Sequence, residues 1–167
     1  QRGPDGIRTR DGQRLAVNIS YAFADYSSQL VLLREEAKKA GLELNLQLLD
    51  PSTWGTQVGE KKHEIVMLTF GTGLIPTFWQ HYHSVNAHKP QTNNITNTDD
   101  PELDKLIDAF ESGSDLQMRL DLSHRIQQIV HDKASFIPSY KIPYVRQAYW
   151  RWLRMPESHG TRTSTDV

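Results

Sequence analysis

Leu15, Val17, Ile19 and Tyr21 alternate with Ala16, Asn18 and Ser20, the two-residue period of a half-buried strand. After Asp25 the period lengthens. Ser27 or Ser28 stands where an N-cap belongs, and Leu30, Leu33, Ala37 and Ala40 mark one face of a helix from about Gln29 to Ala40. Lys38 and Lys39 occupy its last turn, where positive charge complements the helix dipole, and Gly41 supplies the stop. Leu42, Leu44, Leu46 and Leu48 then resume the alternation around Glu43, Asn45 and Gln47. Strand, helix, glycine stop and strand predict a βαβ unit with parallel strands and a right-handed crossover. Asp50-Pro51 opens a second helix, kept short by Gly59 and the polar stretch up to Glu64. Ile65 to Phe70 is apolar apart from one threonine, which predicts a strand buried on both faces.

The loop Gly71-Thr72-Gly73-Leu74-Ile75-Pro76 leaves the end of that strand, the position where open α/β sheets tend to hold ligands. Thr77 to His83 predicts a short helix, and Asn86 to Thr98, polar and asparagine-rich, a surface loop. Asp100-Pro101-Glu102 starts a helix carrying Leu103, Leu106, Ile107 and Phe110. Ser114-Asp115-Leu116-Gln117 reads as a capping box for another, with Leu116, Leu120, Ser123, Ile126, Ile129 and Val130 as its stripe. Gly113 between them makes a helical hairpin. Phe136 to Pro143 is extended, and its two prolines confine it to an edge or a crossing segment. Residues 157–167 form a polar tail. At the other end, Asp5-Gly6 and Asp11-Gly12 are turn dipeptides of a short hairpin or irregular ribbon.

The length of 167 residues suits one domain. Nineteen basic against twenty acidic side chains leave a net charge of -1, which excludes the basic footprint of a nucleic-acid binder. No apolar run approaches the roughly 18 residues of a membrane span. Cysteine is absent, so disulfide frameworks, thiolate zinc sites and cysteine nucleophiles are excluded. The chain opens at Gln1 without a methionine or an apolar signal core, as expected of a processed chain or a piece of a larger one.

Candidate chemistry is sparse. His81, His83 and His88 lie close enough in sequence to suggest a Ni- or Zn-binding module. On a helix, however, i and i+2 do not face each other, so His81 and His83 share an ion only in a strand or loop conformation. Asp121, Ser123 and His124, with His131 and Asp132, are triad residue types gathered on one helix. Catalytic triads draw on separate elements, so a solvated helix face is the better reading. There is no G-x-S-x-G, phosphate loop or dinucleotide fingerprint, so neither enzymatic activity nor a cofactor is expected. Asn18-Ile19-Ser20 and Asn94-Ile95-Thr96 match a glycosylation pattern that is common by chance. The aromatics say more: Phe70, Phe78, Trp79 and Tyr82 flank the Gly71 loop, and Tyr140, Tyr144, Tyr149, Trp150 and Trp152 follow. Such residues line pockets for organic ligands or fill cores. Arg146, Arg151 and Arg154 beside the last group suit a carboxylate, an aromatic ring or a solvated strip.

The order of these pieces is similar to a known pattern: the alternating strand, the helix ending Ala40-Gly41, the strand closing on Leu48-Leu49-Asp50, and Trp54. The buried strand with its glycine loop, Asp100-Pro101-Glu102-Leu103-Asp104 and Phe136-Ile137-Pro138 continue it. The chain resembles the C-terminal lobe of extracellular solute-binding proteins of the oligopeptide, dipeptide and nickel class, which feed ABC importers. Tyr149-Trp150-Arg151-Trp152-Leu153-Arg154-Met155-Pro156 looks most like the subgroup associated with microcin C and murein-type peptides. The resemblance implies an α/β fold, a βαβ-containing lobe with a C-terminal helical hairpin over residues 1–156. It also implies a periplasmic or lipoprotein location, a peptide-like solute, a missing N-terminal lobe and an ABC permease as partner. Many peptide-binding members carry an acidic residue in the loop after the buried strand, to pair with the ligand's α-amino group. Phe70 to Thr77 has none. The ligand-binding residues implied are therefore Phe70, Gly71, Thr72, Gly73 and Trp79.

Overall fold

The computed structural model describes residues 2–71, 73, 75–140 and 148–154. Strands β1 (Thr9–Arg10) and β2 (Gln13–Arg14) pair antiparallel. Asp11 and Gly12 join them at φ 51° and 79°, the left-handed pair that a tight hairpin turn requires. Strand β3 (Ala16–Tyr21) leads through a 3-10 turn at Ala24–Tyr26 into helix α1 (Ser27–Ala40). Because that turn runs straight into the helix, Tyr26 holds the capping position without a side-chain bond, and neither serine caps. The Ser27 hydroxyl instead lies 3.1 Å from that of Tyr21. Gly41 ends α1 in the left-handed region at φ 90°, as its sequence position predicts.

Strand β4 (Glu43–Leu48) pairs parallel with β3 along its full length, Ala16 opposite Glu43 and Tyr21 opposite Leu48. The βαβ unit is thus present. Helix α2 (Pro51–Gly59) starts from Asp50, whose carboxylate accepts the Ser52 and Thr53 N–H groups at 3.1 and 3.0 Å. Hydrogen bonds from Thr53, the hydroxyl foremost, hold that carboxyl below its ordinary range. Strand β5 (Ile65–Val66) pairs parallel with β3 on the side away from β4, giving the order β4-β3-β5.

Two sequence expectations need correction here. The strand proposed for Ile65 to Phe70 is a strand only at Ile65 and Val66, with one further bond from the Met67 N–H to the Ser20 carbonyl at 2.9 Å. It lies at the edge of the described sheet, so Ile65 to Leu68 are half-buried, and Thr69 and Phe70 are exposed. On α1, Leu30 is buried but Leu33 is 49% exposed. The sheet beneath is only three strands wide among the described residues, so one helical contact row reaches it. Leu30 joins Ile19 and Tyr21 in an apolar cluster, with Tyr26, Leu46, Ile65 and Met67 around it.

A second cluster fills the helical part. Helix α3 (Phe78–Tyr82) brings Phe78, helix α4 (Pro101–Ser112) brings Leu103, Ile107 and Phe110, and helix α5 (Leu116–Lys133) brings Leu122 and Ile126. Asp100 caps α4 by accepting the Glu102 and Leu103 N–H groups. Its carboxylate also meets Lys133 Nζ at 2.9 Å, tying the start of α4 to the end of α5. The predicted hairpin forms, but its second cap is Asp115, which accepts the Met118 N–H at 2.7 Å. Gln117, expected to complete a box with Ser114, reaches Asp121 instead. Ser123 and Ile126 of the expected stripe are buried, and Ile129 and Val130 pack against the same core. Leu116 and Leu120 are exposed and Leu122 takes the core position.

Ser123 is buried and its hydroxyl accepts from Gln127, whereas His124 and Asp121 are exposed. The triad residue types therefore face different surroundings, with Ser123 in the interior rather than on a solvated face. Phe136 to Tyr140 form no ladder, and Lys141 to Pro143, like the polar tail, lie outside the described residues. No helix among the described residues is long and apolar enough to cross a membrane.

Candidate functional site

Strand β3 sits between β4 and β5, so the chain leaves β3 for one side of the sheet and crosses from β4 to the other. Open α/β sheets tend to hold ligands beside such a reversal, at the carboxyl ends of the strands. On its β3 side stand Phe23, 56% exposed, and Tyr26, ring edge to ring face at 6.1 Å. On its β5 side stands Thr69, whose hydroxyl lies 2.9 Å from that of Tyr26 and ties the two strand exits together. Periodicity does not reveal these residues, because they lie just past the strands where the alternation has ended.

Phe70 follows, partly exposed, with its ring edge-on to His81 at 5.7 Å and Phe136 at 5.5 Å. Gly71 and Gly73 are exposed, and Thr72 lies outside the described residues. Trp79, on α3, is 45% exposed. With Thr77, Gln80 and Glu111 it lines an open cavity of about 350 Å³. Among the described residues, Phe70, Gly71 and Gly73 do not line that cavity. The five expected ligand residues are thus divided between the strand exit and the cavity beside α3.

Glu111 is the residue that sequence reasoning missed. Phe78 and Phe110 pack edge to face at 5.1 Å in the helical core. Trp79 and Glu111 each come one residue later and turn outward from that contact. Two core phenylalanines, each followed by a residue suited to a ligand, were the available signal, but the pairing of α3 with α4 was not in the sequence. The cavity combines an aromatic face, an amide and a carboxylate. Those groups together suit a ligand with an amine and an apolar part.

The histidines do not form the metal module. His81 Nδ1 lies 3.4 Å from the Asn93 carbonyl, and His88 Nε2 lies 3.8 Å from Asp99. His83 stands between Asp104 and Asp108 of α4, and its Nδ1 accepts the Val85 N–H at 3.1 Å. No three histidine, aspartate or glutamate side chains among the described residues come together to hold a metal ion. The helical turn of α3 separates His81 from His83, and local partners occupy each ring.

The asparagine-rich loop is ordered by its own side chains. Asn94, fully buried, donates to the carbonyls of His83 and Thr98 and accepts the Thr98 N–H. Lys61 Nζ donates to the Asn86 carbonyl at 2.9 Å, and burial pulls its pKa below the ordinary lysine value. His63, partly buried near Ile95, is also shifted down, chiefly by desolvation.

A parallel sheet with this strand order, its covering helix and the helical hairpin make up the periplasmic binding protein-like fold. The oligopeptide-binding protein AppA of Bacillus subtilis, solved with a nonapeptide, matches with a TM-score of 0.72 and 19% identity. That match covers 81% of this chain and 27% of AppA. NikZ of Campylobacter jejuni, in complex with Ni(L-His), matches at 0.71 with 16% identity over 81% of this chain and 28% of its own. In sequence, Protein XP55 of Streptomyces lividans is 28% identical over 169 residues, 98% of this chain and 30% of that protein. No protein-family model matches the chain. The chain therefore spans about 30% of the length of the curated relative it matches.

Proposed function

We propose that residues 1–156 are the C-terminal lobe of an exported solute-binding protein that delivers a peptide-like solute to an ABC permease. Residues 157–167 are then a polar tail. The observation that carries this reading is the likeness of the lobe to AppA, whose solved structure holds a nonapeptide. The exposed aromatics at the strand exits and the Trp79–Glu111 cavity support it by their chemistry. The ligand is gripped between this lobe and an N-terminal one, and hinge closure presents the closed form to the permease. No bond is made or broken. The solute's amine is met by Glu111, in place of the acidic residue absent from the loop over Phe70 to Thr77. Placement in the periplasm or on the cell surface follows from the same role.

A nickel chelate is the second reading, favoured by the comparable likeness to NikZ with Ni(L-His). It treats the metal as part of the solute rather than as held by His81, His83 and His88. Mass spectrometry of solutes released by denaturing the full-length parent separates the two. Co-purified peptides support the first, and nickel with free histidine replaces it with the second. In the two-lobe picture the isolated chain has weak affinity at most. Micromolar binding of a peptide by this chain alone would contradict that picture.

A further inference from the structure

His83 ends α3 with its ring largely buried, the side chain 15% exposed. Its Nδ1 accepts the Val85 N–H at 3.1 Å, so Nδ1 presents a lone pair and carries no proton. The ring proton is then on Nε2, which faces Asp108 Oδ1 at 3.3 Å. Asp104 Oδ1 lies 3.7 Å from Nδ1, but the Asp104 carboxylate is engaged by the Ser84 N–H at 2.9 Å and by the Ser84 hydroxyl. The backbone of His83 is fixed as well. Its N–H donates to the Trp79 carbonyl at 3.2 Å, and its carbonyl accepts from buried Asn94 at 3.1 Å. The indole of Trp79 lies against the imidazole, ring centres 5.9 Å apart.

We propose that His83 is a positioning residue for Trp79, acting as the neutral Nε2–H tautomer. Nδ1 shapes the turn after α3, Nε2 stands beside the Asp108 carboxylate on α4 at 3.3 Å, and the ring backs the indole that lines the cavity with Glu111. His83 acts through Trp79 and touches no ligand. A charged pairing with Asp104 would need a proton on Nδ1 and would expel the Val85 N–H. Metal ligation through Nδ1 would take the same lone pair. The functional part of this proposal rests on the reading of Trp79 as a ligand residue; the tautomer and the support of the indole do not.

The decisive measurement needs no mutation. Long-range proton–nitrogen correlation of the imidazoles in the labelled wild-type chain at neutral pH should show Nδ1 unprotonated and Nε2 protonated at His83. The opposite tautomer, or the cation, overturns the proposal. In His83→Asn the Oδ1 atom stands near the position of Nδ1 and keeps an acceptor for Val85, whereas His83→Ala keeps none. Amide exchange at Val85 should accelerate about tenfold in the alanine variant and much less in the asparagine variant. The fluorine resonance of 5-fluorotryptophan at position 79 should move or broaden in His83→Ala. An unchanged Val85 amide or Trp79 resonance in His83→Ala overturns the support role. In the full-length parent, with trialanine as probe, the alanine variant should bind about fivefold more weakly than wild type. A full-length wild-type parent that ignores trialanine and releases no peptide on denaturation refutes the peptide reading of this lobe, while the tautomer and the Trp79 resonance still decide the role of His83.

Discussion

Replacing Asn94 with alanine tests how the asparagine-rich loop is held. The side chain is fully buried, 0% exposed. Its Nδ2 donates to the His83 and Thr98 carbonyls at 3.1 and 2.8 Å. Its Oδ1 accepts the Thr98 N–H at 2.9 Å and, more weakly, the Thr96 hydroxyl at 3.4 Å. Truncation removes every one of these and strands the Thr98 carbonyl and N–H in the interior, while the His83 carbonyl keeps only the Asn86 N–H at 3.0 Å. At about 1 kcal/mol net per bond, the three shorter contacts give a loss of about 3 kcal/mol, somewhat more if no water enters. With a urea dependence of about 2 kcal/mol per molar, the unfolding midpoint should drop by about 1.5 M. Asn94→Asp is nearly isosteric, yet it turns the donor into an acceptor facing two carbonyls. It should cost at least as much at neutral pH and recover part of the loss in acid, where the protonated carboxyl donates again. A loss below about 1 kcal/mol for alanine, or an aspartate variant as stable as wild type, would refute the account. The same burial makes the Asn94-Ile95-Thr96 pattern unusable for glycosylation in the folded chain.

Other outcomes follow from the same geometry. Ile126 is fully buried between α4 and α5, so Ile126→Ala should cost about 2–5 kcal/mol in urea unfolding; a loss under 1 would place that helix face outside the core. Gly41→Ala puts a Cβ at φ 90° and 2.6 Å from Arg8 Cγ. Left-handed strain alone predicts about 1–2 kcal/mol and a lower melting temperature, and an unchanged melt contradicts it. Burial holds the folded-state pKa of His63 below its unfolded value. The stability from its neutral form is full above about pH 6.5 and is lost as pH falls through that value toward the lower folded one. Urea midpoints measured across this range should slope less in His63→Gln, and an equal slope would assign the pH dependence elsewhere.

The sheet half of the fold was readable because each element there announces itself locally. Leu15 to Tyr21 and Leu42 to Leu48 alternate strictly, and Gly41 and Asp50-Pro51 punctuate them. What periodicity cannot supply is the number of neighbours. Ile65 to Phe70 has the composition of a central strand but sits at the described edge, so it stays short and half-buried. On α5 the sequence reads as a Ser114 capping box, whereas Asp115 caps the helix, and Leu122 rather than Leu116 or Leu120 reaches the core. The candidate site was less legible. Phe70 and Trp79 were visible as aromatics beside a loop, while Glu111 enters only through a contact between two helices distant in sequence. The histidines were misleading for the reverse reason. Closeness in sequence did not survive the turn of α3, and each ring had a nearer partner.

The two apolar clusters among the described residues share no member. Between their halves run polar links: the Gln91 N–H on the Gly59 carbonyl at 2.7 Å and the Lys61 ammonium on the Asn86 carbonyl at 2.9 Å. Slippage along this seam would exchange these hydrogen bonds for bonds to water and break the edge-on contact of Phe70 with His81, while both apolar clusters stayed intact. Phe23, Tyr26 and Thr69 ride on one side of the seam, and Trp79 and Glu111 on the other. The spacing of these two groups is therefore set by links that lie outside both cores.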